Sequence, residues 1–84
     1  MYYVYFLKSK KYKNKVYIGF TKDLQNRFKL HNSRLVPSTK PFTPWELVYY
    51  EAHKLKKIAK RREKYLKTSA GRRTLKIILK EVLN

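Results

Sequence analysis

The chain has 84 residues, with 22 Lys or Arg against 5 Asp or Glu, a formal net charge of +17. That length holds one domain over residues 1–84 with a single core, which excludes a large multi-domain or cofactor-rich enzyme. Zero cysteines exclude a disulfide scaffold and a Cys-ligated zinc module, and no apolar run reaches the roughly 18 residues of a membrane span.

Tyr2 to Ser9 is rich in aromatic and β-branched residues and is predicted to be a strand. Alternation puts Tyr3, Tyr5 and Leu7 on one face and Tyr2, Val4 and Phe6 on the other. Both faces are apolar, so a central strand covered by helices is expected. Lys10 to Asn14 reads as a turn, and Lys15 to Phe20 as a second strand closing an antiparallel hairpin. Thr21 and Asp23 are N-cap candidates for a helix from Leu24 to Asn32 or Ser33. All three prolines fall between Val36 and Pro44, which predicts an extended loop. Trp45 to Ala52 is a third strand.

A second helix is predicted over His53 to Lys67, with an inner stripe of Leu55, Ile58, Ala59, Arg62 and Leu66. Gly71 interrupts the pattern. A third helix over Arg72 to Leu83 places Leu75, Ile78, Leu79, Val82 and Leu83 on one face. The order ββαβαα gives an α+β domain, a three-stranded, mainly antiparallel sheet packed with three helices.

The charge is not confined to a tail. Residues 1–44 carry a net +9 and residues 45–84 a net +8. Solubility needs roughly 2–8 net charges for a small domain. The excess points to a polyanionic partner, with affinity that falls steeply as salt rises. The N-terminus has no basic stretch ahead of its apolar residues, so no signal peptide is read and a cytoplasmic protein is expected.

The inventory of reactive groups is short. There are five carboxylates, Asp23, Glu46, Glu51, Glu63 and Glu81, too few for the clustered acids of a two-metal site. His31 and His53 are not spaced as a zinc pair. Glu63 is the one acid between Lys54 and Lys67, a stretch with eight Lys or Arg. It reads either as a metal ligand or as an ordinary helix pair with Lys67 or Lys60. Tyr5 and Tyr17 fall on adjacent strands, Gly19 ends the second strand, and Arg27 and His31 share a helix face.

These residues resemble the GIY-YIG nuclease superfamily in its short stand-alone form, similar to an excinuclease N-terminal domain. The first motif stands as Tyr3-Val4-Tyr5 and the second as Tyr17-Ile18-Gly19. Arg27 and His31 follow at the matching spacing. Trp45 to Tyr50 looks like the third-strand signature, and Ala59 to Lys67 like the Glu-bearing helix. Tyr3 stands where the family name has Gly, and Phe20 where the repair branch has Lys.

The resemblance implies a divalent-metal-dependent endonuclease acting on DNA, in repair or processing, that leaves a 5′-phosphate and a 3′-hydroxyl. Tyr17 would deprotonate the attacking water and Tyr5 would help position it. Glu63 would bind one Mg²⁺ or Mn²⁺, Arg27 would hold the scissile phosphate, and His31 would support the network. The positive field is expected to favour the tyrosine phenolate. Lys22, Arg34, Lys40, Arg61, Arg62 and Lys67 are the cations expected to meet nucleic acid. A monomer is expected, with a recruiting protein partner open. Two other readings stay open: a non-catalytic nucleic-acid-binding module and a ribosome-associated structural protein.

Overall fold

The computed structural model describes residues 1–83. Three strands, β1 (Tyr2–Ser9), β2 (Val16–Thr21) and β3 (Trp45–His53), form one antiparallel sheet in the order β2-β1-β3. The helices are α1 (Leu24–Asn32), α2 (Lys56–Leu66) and α3 (Ser69–Val82). The expected α+β architecture is therefore present, with the doubly apolar β1 at the centre of the sheet. A central strand is covered on both faces, which is why neither face of β1 alternates with polar residues.

The two faces of β1 seed two cores. Val4 and Phe6 pack with Ile18, Ala59, Leu66 and Leu75, beneath α2 and α3. Tyr5 and Leu7 pack with Trp45, and Tyr17, Leu24, Phe28 and Leu47 close over them on the α1 side. The division follows the period-2 alternation of the strands.

One irregularity decides where β3 points its side chains. Phe6 pairs with Tyr49, but Leu7 pairs with Leu47, so Val48 is an extra residue and the strand carries a β-bulge. Trp45 and Leu47 join the α1-side core, whereas Val48 and Tyr49 pack on the α2 side. Without the extra residue, strict alternation would leave Tyr49 on the same face as Trp45.

Several expected boundaries move. β3 runs on to His53, and α2 begins only at Lys56. Leu55 and Ile58 are exposed, at 61% and 39%, so the buried stripe of α2 reduces to Ala59 and Leu66. Arg62 lies between them but turns to β3. Gly71 does not break a helix. It lies buried inside α3, whose N-cap Thr68 accepts a hydrogen bond from the Gly71 amide at 3.1 Å. A Cβ at that position would run into the Tyr65 carbonyl, so the two-residue corner between α2 and α3 requires Gly for close approach. Val82 and Leu83 remain exposed at the end of α3.

The proline-rich segment is not simply extended. Lys40–Phe42 forms a 3₁₀ turn, and the Thr43–Pro44 peptide is cis. Thr39 and Val36 are buried. Asn32 ties the segment to α1, donating to the Trp45 carbonyl at 2.9 Å and accepting from the Trp45 amide at 2.6 Å. The Trp45 indole donates to the Thr39 carbonyl at 3.1 Å. Ser9 holds the other end. Its hydroxyl donates to the Phe42 carbonyl at 2.6 Å and accepts from the amides of Lys11 and Tyr12.

Candidate active site

The site is built on the α1-side face of the sheet. Tyr5 on β1 and Gly19 on β2 are register partners. A Cβ at Gly19 would fall onto the Tyr5 ring, so the glycine leaves the space that the phenol occupies. Tyr17, two residues earlier on β2, shares this face, and its ring centroid lies 6.3 Å from that of Tyr5.

Helix α1 delivers the other two groups. Asp23 caps its N-terminus by accepting from the Asn26 amide at 3.1 Å, and this sets the phase of the helix. Arg27 and His31 are one turn apart and face the sheet. His31 is fully buried and makes two side-chain bonds. Its Nε2 meets the Tyr5 hydroxyl at 2.8 Å, and its Nδ1 meets Thr39 Oγ1 at 2.8 Å. The Thr39 hydroxyl donates onward to the Val36 carbonyl at 3.4 Å, so Thr39 accepts from His31 Nδ1–H. His31 Nε2 is then the acceptor and Tyr5 O–H the donor.

Burial keeps both groups neutral. It lowers the His31 pKa to about 4, and the nearby Arg27 charge adds to the effect. Burial also pushes Tyr5 up to about 12, although its contact with Arg27 acts in the opposite direction. At Tyr5, removal from water outweighs the field of the nearby guanidinium. Arg27 stands near Tyr5 and Tyr17, and the Tyr5 hydroxyl is the main reason its pKa is raised. Tyr17 is half-buried while Tyr5 is 1% exposed, so Tyr17 is the phenol open to a substrate. The Tyr17 ring also touches His31 at 5.0 Å and Trp45 at 6.4 Å between centroids.

Glu63 approaches from the other side of the sheet. It lies on α2 beside the buried Ala59 and Leu66, and its negative charge is among the influences that raise the Tyr5 pKa. Its carboxylate pairs with Lys67 at 3.2 Å. Of the five expected site residues, Tyr5, Tyr17 and His31 are in mutual contact and Arg27 stands near them, while Glu63 lies on α2 across the sheet, paired with Lys67. Among the described residues, no group of three or more His, Cys, Asp or Glu is placed to hold a metal ion.

The expected nucleic-acid cations are dispersed. Arg62 is engaged with Glu51 on β3, Nε and a terminal nitrogen donating to the two carboxylate oxygens at 3.0 and 2.9 Å. Lys67 is paired with Glu63, and the Lys22 ammonium stands 6.0 Å from the centroid of the Tyr2 ring. Arg34, Lys40 and Arg61 are exposed. Sequence reasoning missed Thr39 and Asn32, which position His31 and its loop. Their role depends on how the proline-rich segment folds back, and no local pattern announces it.

A hairpin-led three-stranded sheet carrying paired tyrosines, a glycine beneath one of them and an arginine on the next helix defines a particular class of small α+β domain. Residues 1–76 match the family described as the GIY-YIG catalytic domain, and the chain belongs to that family. It is a nuclease-type family whose members generally use divalent metal ions, and it implies a nucleic-acid substrate. A UPF0213 protein of Clostridium perfringens is 37% identical over 79 residues, covering 93% of this chain and 83% of that protein. No solved structure matches significantly. Among the described residues, no helix is long and apolar enough to cross a membrane.

Proposed function

We propose that this chain is a divalent-metal-dependent endonuclease that hydrolyses DNA phosphodiester bonds in repair or processing. The observation that carries the reading is the placement of Arg27. It stands on α1 near Tyr5 and beside a half-buried Tyr17, and keeps part of its surface open. A guanidinium held there is placed for a phosphate and for the charge that grows on it during hydrolysis.

In this mechanism Tyr17 Oη accepts the proton of the attacking water. Tyr17 does this as the phenolate. The water oxygen forms its bond to phosphorus, the bond from phosphorus to the 3′-oxygen breaks, and the leaving 3′-alkoxide takes a proton from solvent water, giving a 3′-hydroxyl and a 5′-phosphate. Tyr5 keeps its own proton and acts as a fixed donor aligned by His31. Glu63 is the residue that would hold the metal. A single carboxylate suits Mg²⁺ or Mn²⁺, because such ions retain several waters and take substrate phosphate oxygens as ligands. When bound, the ion supplies neutralising charge for the leaving oxygen.

The test is a panel of labelled DNA and RNA substrates incubated with Mg²⁺, Mn²⁺ or EDTA. Metal-dependent cleavage leaving 5′-phosphate ends is expected from the wild type. Glu63→Gln and Tyr17→Phe should lose cleavage and retain DNA affinity, with the Gln variant binding as tightly or more tightly. Cleavage that persists in EDTA or in the Glu63→Gln variant would overturn the reading. Binding without cleavage by the wild type would leave a nucleic-acid-binding module.

A further inference from the structure

A groove of about 770 Å³ runs along the free edge of β2, outside the Tyr5–His31 core. One wall is the β1–β2 hairpin, carrying Lys8, Lys13 and Lys15. The facing wall is the end of α2 and the length of α3, carrying Lys67, Arg72 and Lys76. Between the walls the apolar floor is Val16, Leu79 and Leu83, laid over the buried Ile18 and Leu75. Tyr17 borders the groove where β2 passes, with its ring packed in the core on the opposite face of the sheet. The final turns of α3 that complete it, with Leu79 and Leu83, lie beyond the residues that match the family.

The charge pattern is one-sided. No acid lines the groove among the described residues. Lys67 pairs with Glu63, and the Lys15 ammonium stands 4.3 Å from the Phe42 ring centroid, away from the floor. Lys13, Arg72 and Lys76 are exposed.

We propose that this groove binds an unpaired nucleic-acid strand. Two rows of cations flanking an apolar floor match a strand whose phosphates lie at the rims and whose unpaired bases cover the floor. A duplex fits poorly, because it presents phosphates outward and hides the base faces that the apolar floor would cover. The binding does not depend on the nuclease reading.

The decisive experiment measures binding in EDTA, where metal-dependent cleavage cannot interfere, by fluorescence anisotropy over a salt series. The ligands are oligothymidylate, oligouridylate and a blunt DNA duplex. The groove variant is Lys13→Ala/Arg72→Ala/Lys76→Ala. The control of equal charge is Lys54→Ala/Lys57→Ala/Lys64→Ala, three exposed residues outside the groove. All six side chains are exposed, and circular dichroism confirms that both variants fold. The groove variant should lose at least tenfold in single-strand affinity. Its slope of log affinity against log salt should flatten by about 2, or roughly 0.7 per cation removed. The control should change by less than half as much, and duplex binding should suffer less than single-strand binding. Equal losses in the two variants, equal losses on duplex and single strand, or no binding of either single strand would overturn the proposal. Cleavage by a protein that fails this test leaves the nuclease reading standing. A groove that passes in a protein that never cleaves removes the nuclease reading alone.

Discussion

The Tyr5 hydroxyl meets His31 Nε2 at 2.8 Å, and both residues are shut away from water. The bond joins the central strand to the first helix. Burial, with the Arg27 charge adding to it, depresses the His31 pKa to about 4 from an ordinary value of 6.5, so the imidazole in this bond is neutral.

This depression makes stability pH-dependent. Between pH 6.5 and 4 the unfolded chain binds a proton at His31 that the folded chain refuses. The contribution of neutral His31 is therefore present above pH 6.5 and lost as pH falls through that window, amounting to about 3 kcal/mol below both values. Urea midpoints should drop between pH 7 and pH 4, and His31→Gln should flatten that part of the profile. An equally steep profile in the variant would assign the acid sensitivity elsewhere.

Gly19 and Tyr5 compete for one volume. Gly19→Ala should push the Tyr5 ring out of line and cost about 1–3 kcal/mol through overpacking. Because the ring stands 6.3 Å from that of Tyr17, cleavage should fall by about a hundredfold in protein that is still folded. Full activity in this variant would show that the alignment of Tyr5 is irrelevant to the chemistry.

Arg27 is the group assigned to the developing phosphate charge. Arg27→Ala should lower kcat by about 10²–10³, with Arg27→Lys intermediate because a single ammonium cannot span two partners. Single-turnover kinetics at saturating DNA would separate this loss from weaker binding.

Glu51 and Arg62 join β3 to α2. Burial alone would raise the Glu51 carboxyl, but bonds from Arg62, Tyr49 and His53 outweigh it and hold the group below its usual range. Arg62→Ala strands a half-buried carboxylate and should destabilise by about 2–3 kcal/mol. The double variant Glu51→Leu/Arg62→Leu should recover part of that loss. The exposed pair of Glu63 and Lys67 should contribute little, so Lys67→Ala should leave the melting temperature nearly unchanged.

Arg34 has a φ of 64°, in the left-handed region that favours glycine. It ends α1 in a Schellman turn. The Arg34 amide bonds to the His31 carbonyl and the Leu35 amide to the Leu30 carbonyl, both at 3.2 Å. Arg34→Gly should raise stability by about 0.5–1 kcal/mol at an unchanged denaturant slope. Stability that falls instead would mean the arginine side chain has a packing role.

Period and composition alone determined the element order, the centrality of β1 and the grouping of Tyr5 with Leu7 against Val4 with Phe6. These are local properties: a strand alternates with period 2, and a central strand must be apolar on both faces. The spacing of Arg27 and His31 likewise settled that they share a helix face.

Tertiary structure decided what sequence patterning could not. The extra residue at Val48 turns Tyr49, Glu51 and His53 toward α2, and only pairing with β1 reveals it. Gly71 reads as a helix breaker on propensity, yet the close pass of the Tyr65 carbonyl makes it the residue that lets α3 form. Arg62 and Glu63 are a neighbouring cation and acid in the sequence, but the first reaches Glu51 on β3 and the second pairs with Lys67 at the end of its own helix. The protonation states of Tyr5 and His31 also depend on the fold, because removal from water is set by residues distant in the chain that close over them.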